Sequence, residues 1–114
     1  MTEHCTTSGK RIRTYGRKHV AVSITQYPRN GRTCLRLIEV ENGEETGVCT
    51  ACTVNLPRIS LAEDEVAIQT WSKSVGILEW LIDQEIVSKP LHYADFGGTF
   101  IPICNLLVSD DRVQ

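Results

Sequence analysis

The sequence predicts an α+β domain: an antiparallel β-meander of four to five strands with one principal α-helix packed on the sheet. Three observations predict it. Alternating, β-branched runs between residues 18 and 56 are interrupted twice by Asn-Gly, the dipeptide that suits a tight hairpin turn. Apolar residues then recur at helical spacing over 72–87, and a last apolar run covers 99–108. A single sheet cannot bury its own apolar face, so the helix must lay its stripe across it.

Taken in order, residues 1–17 are polar and without period, and read as a flexible basic lead-in. The first strand starts at Lys18, with Val20, Val22 and Ile24 on one face and Ala21, Ser23 and Thr25 on the other. Tyr27-Pro28-Arg29-Asn30-Gly31 closes it. A second strand covers 33–41, and Asn42-Gly43 turns the chain again. The third strand, 46–56, places Val48, Thr50, Cys52, Val54 and Leu56 on one face and Cys49, Ala51, Thr53 and Asn55 on the other, with Pro57 ending it.

Residues 61–71 are ambiguous between a helical turn opened by Glu63-Asp64-Glu65 and a short edge strand at Val66-Ala67-Ile68. Ser72 or Ser74 is placed to cap a helix running to about Val87. On that helix Val75, Ile77, Leu78, Leu81, Ile82 and Ile86 fall within one half of the circumference, with Glu79 and Asp83 opposite. Ser88-Lys89-Pro90 stops it. Residues 91–98 read as a loop ending in Gly97-Gly98, and 99–108 as a last strand that is apolar on both sides. Pro102 argues for an edge or a bulge there. The domain thus spans 18–108, followed by a polar tail, 109–114.

At 114 residues the chain holds one domain, and 41% hydrophobic against 23% charged residues is too apolar for disorder. No apolar run reaches the ~18–20 residues of a membrane span, and the first residues lack the apolar stretch of a secretory signal. A cytoplasmic protein with no membrane partner is expected. The odd set of cysteines, Cys5, Cys34, Cys49, Cys52 and Cys104, points to reduced thiols.

Cys49 and Cys52 form the one Cys-x-x-Cys. Zinc would need both sulfurs at ~2.3 Å in a turn. A strand instead sends i and i+3 to opposite faces, and no Gly or Pro lies between them to make a knuckle. A scaffold strand with Cys52 buried and Cys49 opposite is the expectation, with no metal and no cofactor; a small zinc or thiol module is the third-ranked reading. Asp95-Phe96-Gly97 copies a kinase tripeptide without the other kinase parts. Ser8-Gly9-Lys10 lacks the upstream glycine of a phosphate loop. A spatial pairing of His92 with Cys104 is the remaining route to nucleophilic chemistry. No catalytic residue is assigned, and a non-enzyme is expected.

Charge is unevenly spread. Lys10, Arg11, Arg13, Arg17, Lys18, Arg29, Arg32 and Arg36 follow one another with no acidic residue between them. Such a block suits either a phosphate backbone or an acidic protein surface. On the expected helix Trp80 projects away from the core stripe, so it is either an exposed binding anchor or is covered by the 91–98 loop or the N-terminal arm. The candidate binding residues are Arg11, Arg13, Arg17, Lys18, Glu79, Trp80 and Asp83.

Three pieces carry a resemblance. They are Thr53-Val54-Asn55-Leu56-Pro57, the run from Gly76-Ile77-Leu78-Glu79 through Ile86-Val87, and Phe100-Ile101-Pro102-Ile103-Cys104-Asn105-Leu106. With the two Asn-Gly hairpins, they resemble a family of small phage-, plasmid- and conjugative-element-borne proteins, domain of unknown function 4313. Glu85 stands where that family's pattern has glycine. The resemblance implies a mobile genetic element, and with it a stoichiometric inhibitor of a host defence complex such as a CRISPR effector. A nucleic-acid-binding accessory protein using residues 10–36 is the alternative.

Overall fold

The computed structural model describes residues 5–71 and 74–108. Strands β1 (Arg13–Tyr15), β2 (Lys18–Gln26), β3 (Thr33–Glu41) and β4 (Glu44–Ala51) form an antiparallel meander in sequence order. A second sheet holds β5 (Glu65–Ala67), β6 (His92–Phe96) and β7 (Thr99–Asn105) in the order β5-β7-β6. Among the described residues one helix, α1, covers Ile77–Asp83. The α+β class and the meander stand; two sheets replace the single one expected, and the helix is short.

The β2–β3 hairpin follows the alternation closely. Val20, Val22, Ile24, Leu35 and Leu37 share one face through the pairs Val22↔Leu37 and Ile24↔Leu35, and that face enters the main core. Asn42 at φ 53 and Gly43 at φ 78 make the left-handed pair that a two-residue turn between β3 and β4 requires. Residues 13–15, expected within a flexible lead-in, instead pair with 18–20 of β2. Upstream of them Thr6 is buried, and its N–H donates to the Lys10 carbonyl at 2.8 Å. Three paired residues are too few to show a period, which is why the strand was not legible.

Beyond the second turn the register slips twice. Leu37 pairs with Thr50 and Ile38 with Val48, leaving Cys49 as an extra residue; Glu39 pairs with Gly47 and Val40 with Glu45, leaving Thr46. The first bulge overturns the predicted faces of this strand. Val48 points to solvent, 59% exposed, while Cys49 lies against the same apolar cluster that contains Cys52. The two thiols therefore face the same core rather than opposite sides. The ladder to β3 ends at Ala51, short of the expected residue 56, and Thr53 instead bridges to Ile68 at the second sheet.

The expected 91–98 loop is strand β6 plus the turn Gly97-Gly98, closed by the pair Phe96↔Thr99. Strand β7 is central rather than an edge, despite Pro102. Ile68 N–H still donates to the Pro102 carbonyl at 3.0 Å, but a proline has no N–H to return. That missing donor faces the end of β5, where the partner strand has already stopped at Ala67. Of the two readings of 61–71, the short edge strand is the one formed.

The helix was expected from 72 or 74 to about 87 and holds only Ile77–Asp83. Gly76 at φ 86 and Glu85 at φ 60 interrupt the right-handed path at its two ends. Ser74 does not cap it; its hydroxyl donates to the Ala51 carbonyl at 2.6 Å. Ser72 lies outside the described residues. Ile77, Leu81 and Ile86 are buried as expected, but Val75 sits ahead of Gly76 and is 69% exposed.

The main core joins the meander face to Cys52, Val66, Ile68, Cys104 and the helix residues Ile77 and Leu81. A smaller core lies on the other face of the second sheet: Leu56, Ala67, Ala94, Ile101 and Ile103, covered by Val54, Ile59 and Leu61. The covering segment carries little ladder of its own. Arg32 in the β2–β3 loop holds it by donating both guanidinium arms, to the Leu56 and Ile59 carbonyls.

Candidate functional site

Strand β1 and helix α1, far apart in sequence, meet at one surface. Trp80 Nε1 donates to the Thr14 carbonyl at 2.9 Å. Its indole meets the Tyr15 ring edge-on, with centroids 5.3 Å apart at 80°, a favoured aromatic arrangement. One residue earlier in β1, Arg13 donates to the Gln84 side-chain oxygen at 2.8 Å and to the Gln84 carbonyl at 3.3 Å. Trp80 is thus half-buried under the N-terminal segment. It is a structural anchor of this surface rather than an exposed hot spot.

The charged candidates surround that anchor. Arg17 lies in the turn between β1 and β2, and Arg17 and Lys18 are exposed. Lys18 Nζ is 3.8 Å from Glu39, a surface pair of small net effect. Arg11 is exposed beside the bridge it makes with Cys5. On the helix, Glu79 and Asp83 are exposed as the helical projection required. The β1–β2 turn thus carries exposed cations and α1 exposed carboxylates, the two elements being joined by the Tyr15–Trp80 contact.

The basic block does not stay together. Lys10 pairs with Glu45 at 3.2 Å, Arg13 is held by Gln84, and Arg32 is consumed in the two carbonyl bonds. Arg17 and Arg29 sit at opposite ends of β2, separated by about 30 Å at strand rise.

The thiols are placed for packing. Burial, then the nearby Cys34 and Cys49 thiols, pushes the Cys52 thiol up to about 12. Burial pushes Cys104 up to about 11. Burial also raises the Tyr15 phenol, with the neighbouring Cys52 and Cys49 adding to it. A thiol raised this far stays protonated at neutral pH, and the thiolate is the form that attacks or binds metal. His92 pairs across the strand with Ile103, so Cys104 falls on the opposite face of β7; its imidazole lies 3.6 Å from Glu65 instead. Among the described residues no group of three or more His, Cys, Asp or Glu side chains is placed to hold a metal ion.

Two features escaped the sequence reading. A cleft of about 630 Å³ opens between the sheets, lined in part by Ile24, Gln26, Arg32, Leu61 and the acidic Glu63 and Asp64. The β6–β7 hairpin also exposes a set of large apolar side chains: Leu91 at 50%, Tyr93 at 57%, Phe96 at 56% and Phe100 at 67%. The available signal was the alternation of His92 to Phe96 before Gly97-Gly98, which the loop reading passed over. No protein-family model, no curated protein and no solved structure matches this chain.

Proposed function

We propose that the protein is a non-enzymatic binding protein that occludes a partner protein through the β1–α1 face. The observation that carries this reading is the bond from Trp80 Nε1 to the Thr14 carbonyl. It joins α1, with its exposed Glu79 and Asp83, to β1, whose turn into β2 carries the exposed Arg17 and Lys18. A surface with both signs of charge in fixed positions recognises a complementary protein patch, and its charges govern partner choice and encounter rate. The resemblance to a family of mobile-element proteins supplies the narrower context, a host defence complex such as a CRISPR effector inhibited by stoichiometric binding.

The division of the basic residues between the two ends of β2 favours a protein partner over nucleic acid, which needs cations tracking successive phosphates. The test is a pull-down from host lysate together with titration of a purified CRISPR effector. Arg17→Glu with Lys18→Glu, and separately Glu79→Lys with Asp83→Lys, are compared with the wild type. Saturation of inhibition at a fixed molar ratio, lost in at least one charge-reversed protein of unchanged circular dichroism, is expected. No retained partner, or retention indifferent to both reversals, overturns the proposal. A gel shift that weakens steeply with salt would favour the nucleic-acid reading instead.

A further inference from the structure

We infer that the free edge of β6 pairs with β6 of a second copy, giving a weak two-fold dimer with one continuous sheet across the interface. Strand β6 ends its sheet, since the order is β5-β7-β6, and among the described residues no strand or isolated bridge occupies its outer edge. The other edges are poor templates. Strands β1 and β5 have three residues each, and β4 carries the Thr46 and Cys49 bulges, which bend and twist an edge away from partners. Strand β6 has five regular residues, His92-Tyr-Ala-Asp-Phe96, with no proline, lysine or bulge.

The register follows from the hairpin. Phe96 and Thr99 flank a two-residue turn, so they form a hydrogen-bonded pair, and such pairs alternate along the ladder. Ala94 and His92 therefore turn their backbone groups towards β7, and Tyr93 and Asp95 turn theirs outward. The other side of β7 agrees: the Pro102 carbonyl accepts from Ile68, away from its partner Tyr93. An axis through Ala94 then makes the edge self-complementary. Tyr93 N–H meets the Asp95 carbonyl of the second copy, Asp95 N–H meets the Tyr93 carbonyl, and the axis repeats both. The close, non-hydrogen-bonded position on the axis is filled by Ala94, whose small side chain suits the short approach there.

Charge selects this register over its neighbour. Centring the pairing on Asp95 would oppose two carboxylates, which is destabilising across a ladder. Centring it on Ala94 sets Asp95 opposite Tyr93 and His92 opposite Phe96. The half-exposed Leu91, Tyr93, Phe96 and Phe100 offer on the order of 400–500 Å² per copy at ~150–250 Å² for a whole aromatic side chain. Full cover on both copies sets an upper limit of roughly 1,000 Å², the size range of a weak interface. A peptide from another protein could also use a free edge, but the self-complementary register and charge pattern favour a second copy.

Sedimentation equilibrium on the full chain tests this. The mass should rise with concentration from 12.8 kDa towards twice that value, in the micromolar range of about 1 μM to 1 mM. Tyr93→Glu, at an already exposed position, sets a second carboxylate opposite Asp95 of the other copy and should stay monomeric with unchanged circular dichroism. Ala94→Cys should give a covalent dimer under mild oxidation, with a 94–94 link found by peptide mapping. A chain monomeric throughout that range overturns the inference, and so does a dimer that survives Tyr93→Glu. A dimer whose mapped links never include 94–94 overturns it as well.

Discussion

Trp80 donates its indole N–H to the Thr14 carbonyl at 2.9 Å, tying residues 66 positions apart. The ring also covers Tyr15 edge-on, so one side chain docks β1 onto α1. Removing the donor while keeping an aromatic ring separates most of the two roles. Trp80→Phe should cost about 1–2 kcal/mol, the net worth of one hydrogen bond plus the trimmed ring area. Trp80→Ala should cost about 3–5 kcal/mol by removing the ring as well. Urea unfolding measures both, and a Trp80→Phe loss near zero would show that the bond contributes little beyond the ring.

Alkaline pH should destabilise the fold. The Cys52 thiol is pushed up to about 12 and Cys104 to about 11, both above their ordinary value near 9. Between the unfolded and folded values the native chain keeps protons that the unfolded chain has released, so stability falls as pH rises. The contribution is complete below about pH 9 and is lost through pH 11–12. Each thiol adds a slope of about 1.4 kcal/mol per pH unit within its window. Tyr15, raised chiefly by burial, acts in the same direction. Cys52→Ala should flatten the profile above pH 9; a profile identical to that of the wild type would contradict the burial argument.

The two ends of α1 respond oppositely to substitution. Gly76 sits at φ 86 with open space where a side chain would stand, so Gly76→Ala should cost about 1–2 kcal/mol from backbone conformation alone. Glu85 occupies φ 60 while exposed. Glu85→Gly should be neutral to stabilising by up to about 1 kcal/mol, the relief of left-handed strain less the entropy of the freer unfolded chain. Thermal unfolding of the pair checks the sign of each.

Arg32 is not replaceable by lysine. Its planar fork serves the Leu56 and Ile59 carbonyls together, a geometry that a single ammonium cannot reproduce. Arg32→Lys should cost about 1–3 kcal/mol by leaving one carbonyl without its partner. A loss below about 0.5 kcal/mol would show that water satisfies the carbonyls as well.

The β2–β3 hairpin was legible because period, turn residues and burial agree there: Val20, Val22 and Ile24 alternate, and both flanking turns carry Asn-Gly. What the sequence hid were departures from period. The bulge at Cys49 shifts the alternation by one, turning Val48 out and Cys49 in, and nothing in Val-Cys-Thr announces it. Gly76 and Glu85 cut a helix whose apolar spacing continues beyond both. Of the candidate binding residues, the exposed Arg17, Lys18, Glu79 and Asp83 follow from pattern. The roles of Arg13 and Trp80 depend on a contact between β1 and α1 that pattern cannot give.

The segment from Val54 to Leu61 closes the smaller core, yet beyond the Val54 N–H bond to Ala67 at its start it is tethered by side chains of the β2–β3 loop, Asn30 to Asn55 and Arg32 to Leu56 and Ile59. It should open as a unit before the meander does. In hydrogen exchange, amides of β2 and β3 would then report global unfolding, while Ala94, Ile101 and Ile103 would lose protection through a cheaper excursion. Replacing Arg32 should speed the second group and leave the first group's rank unchanged. The guanidinium would then set how often the far sheet breathes.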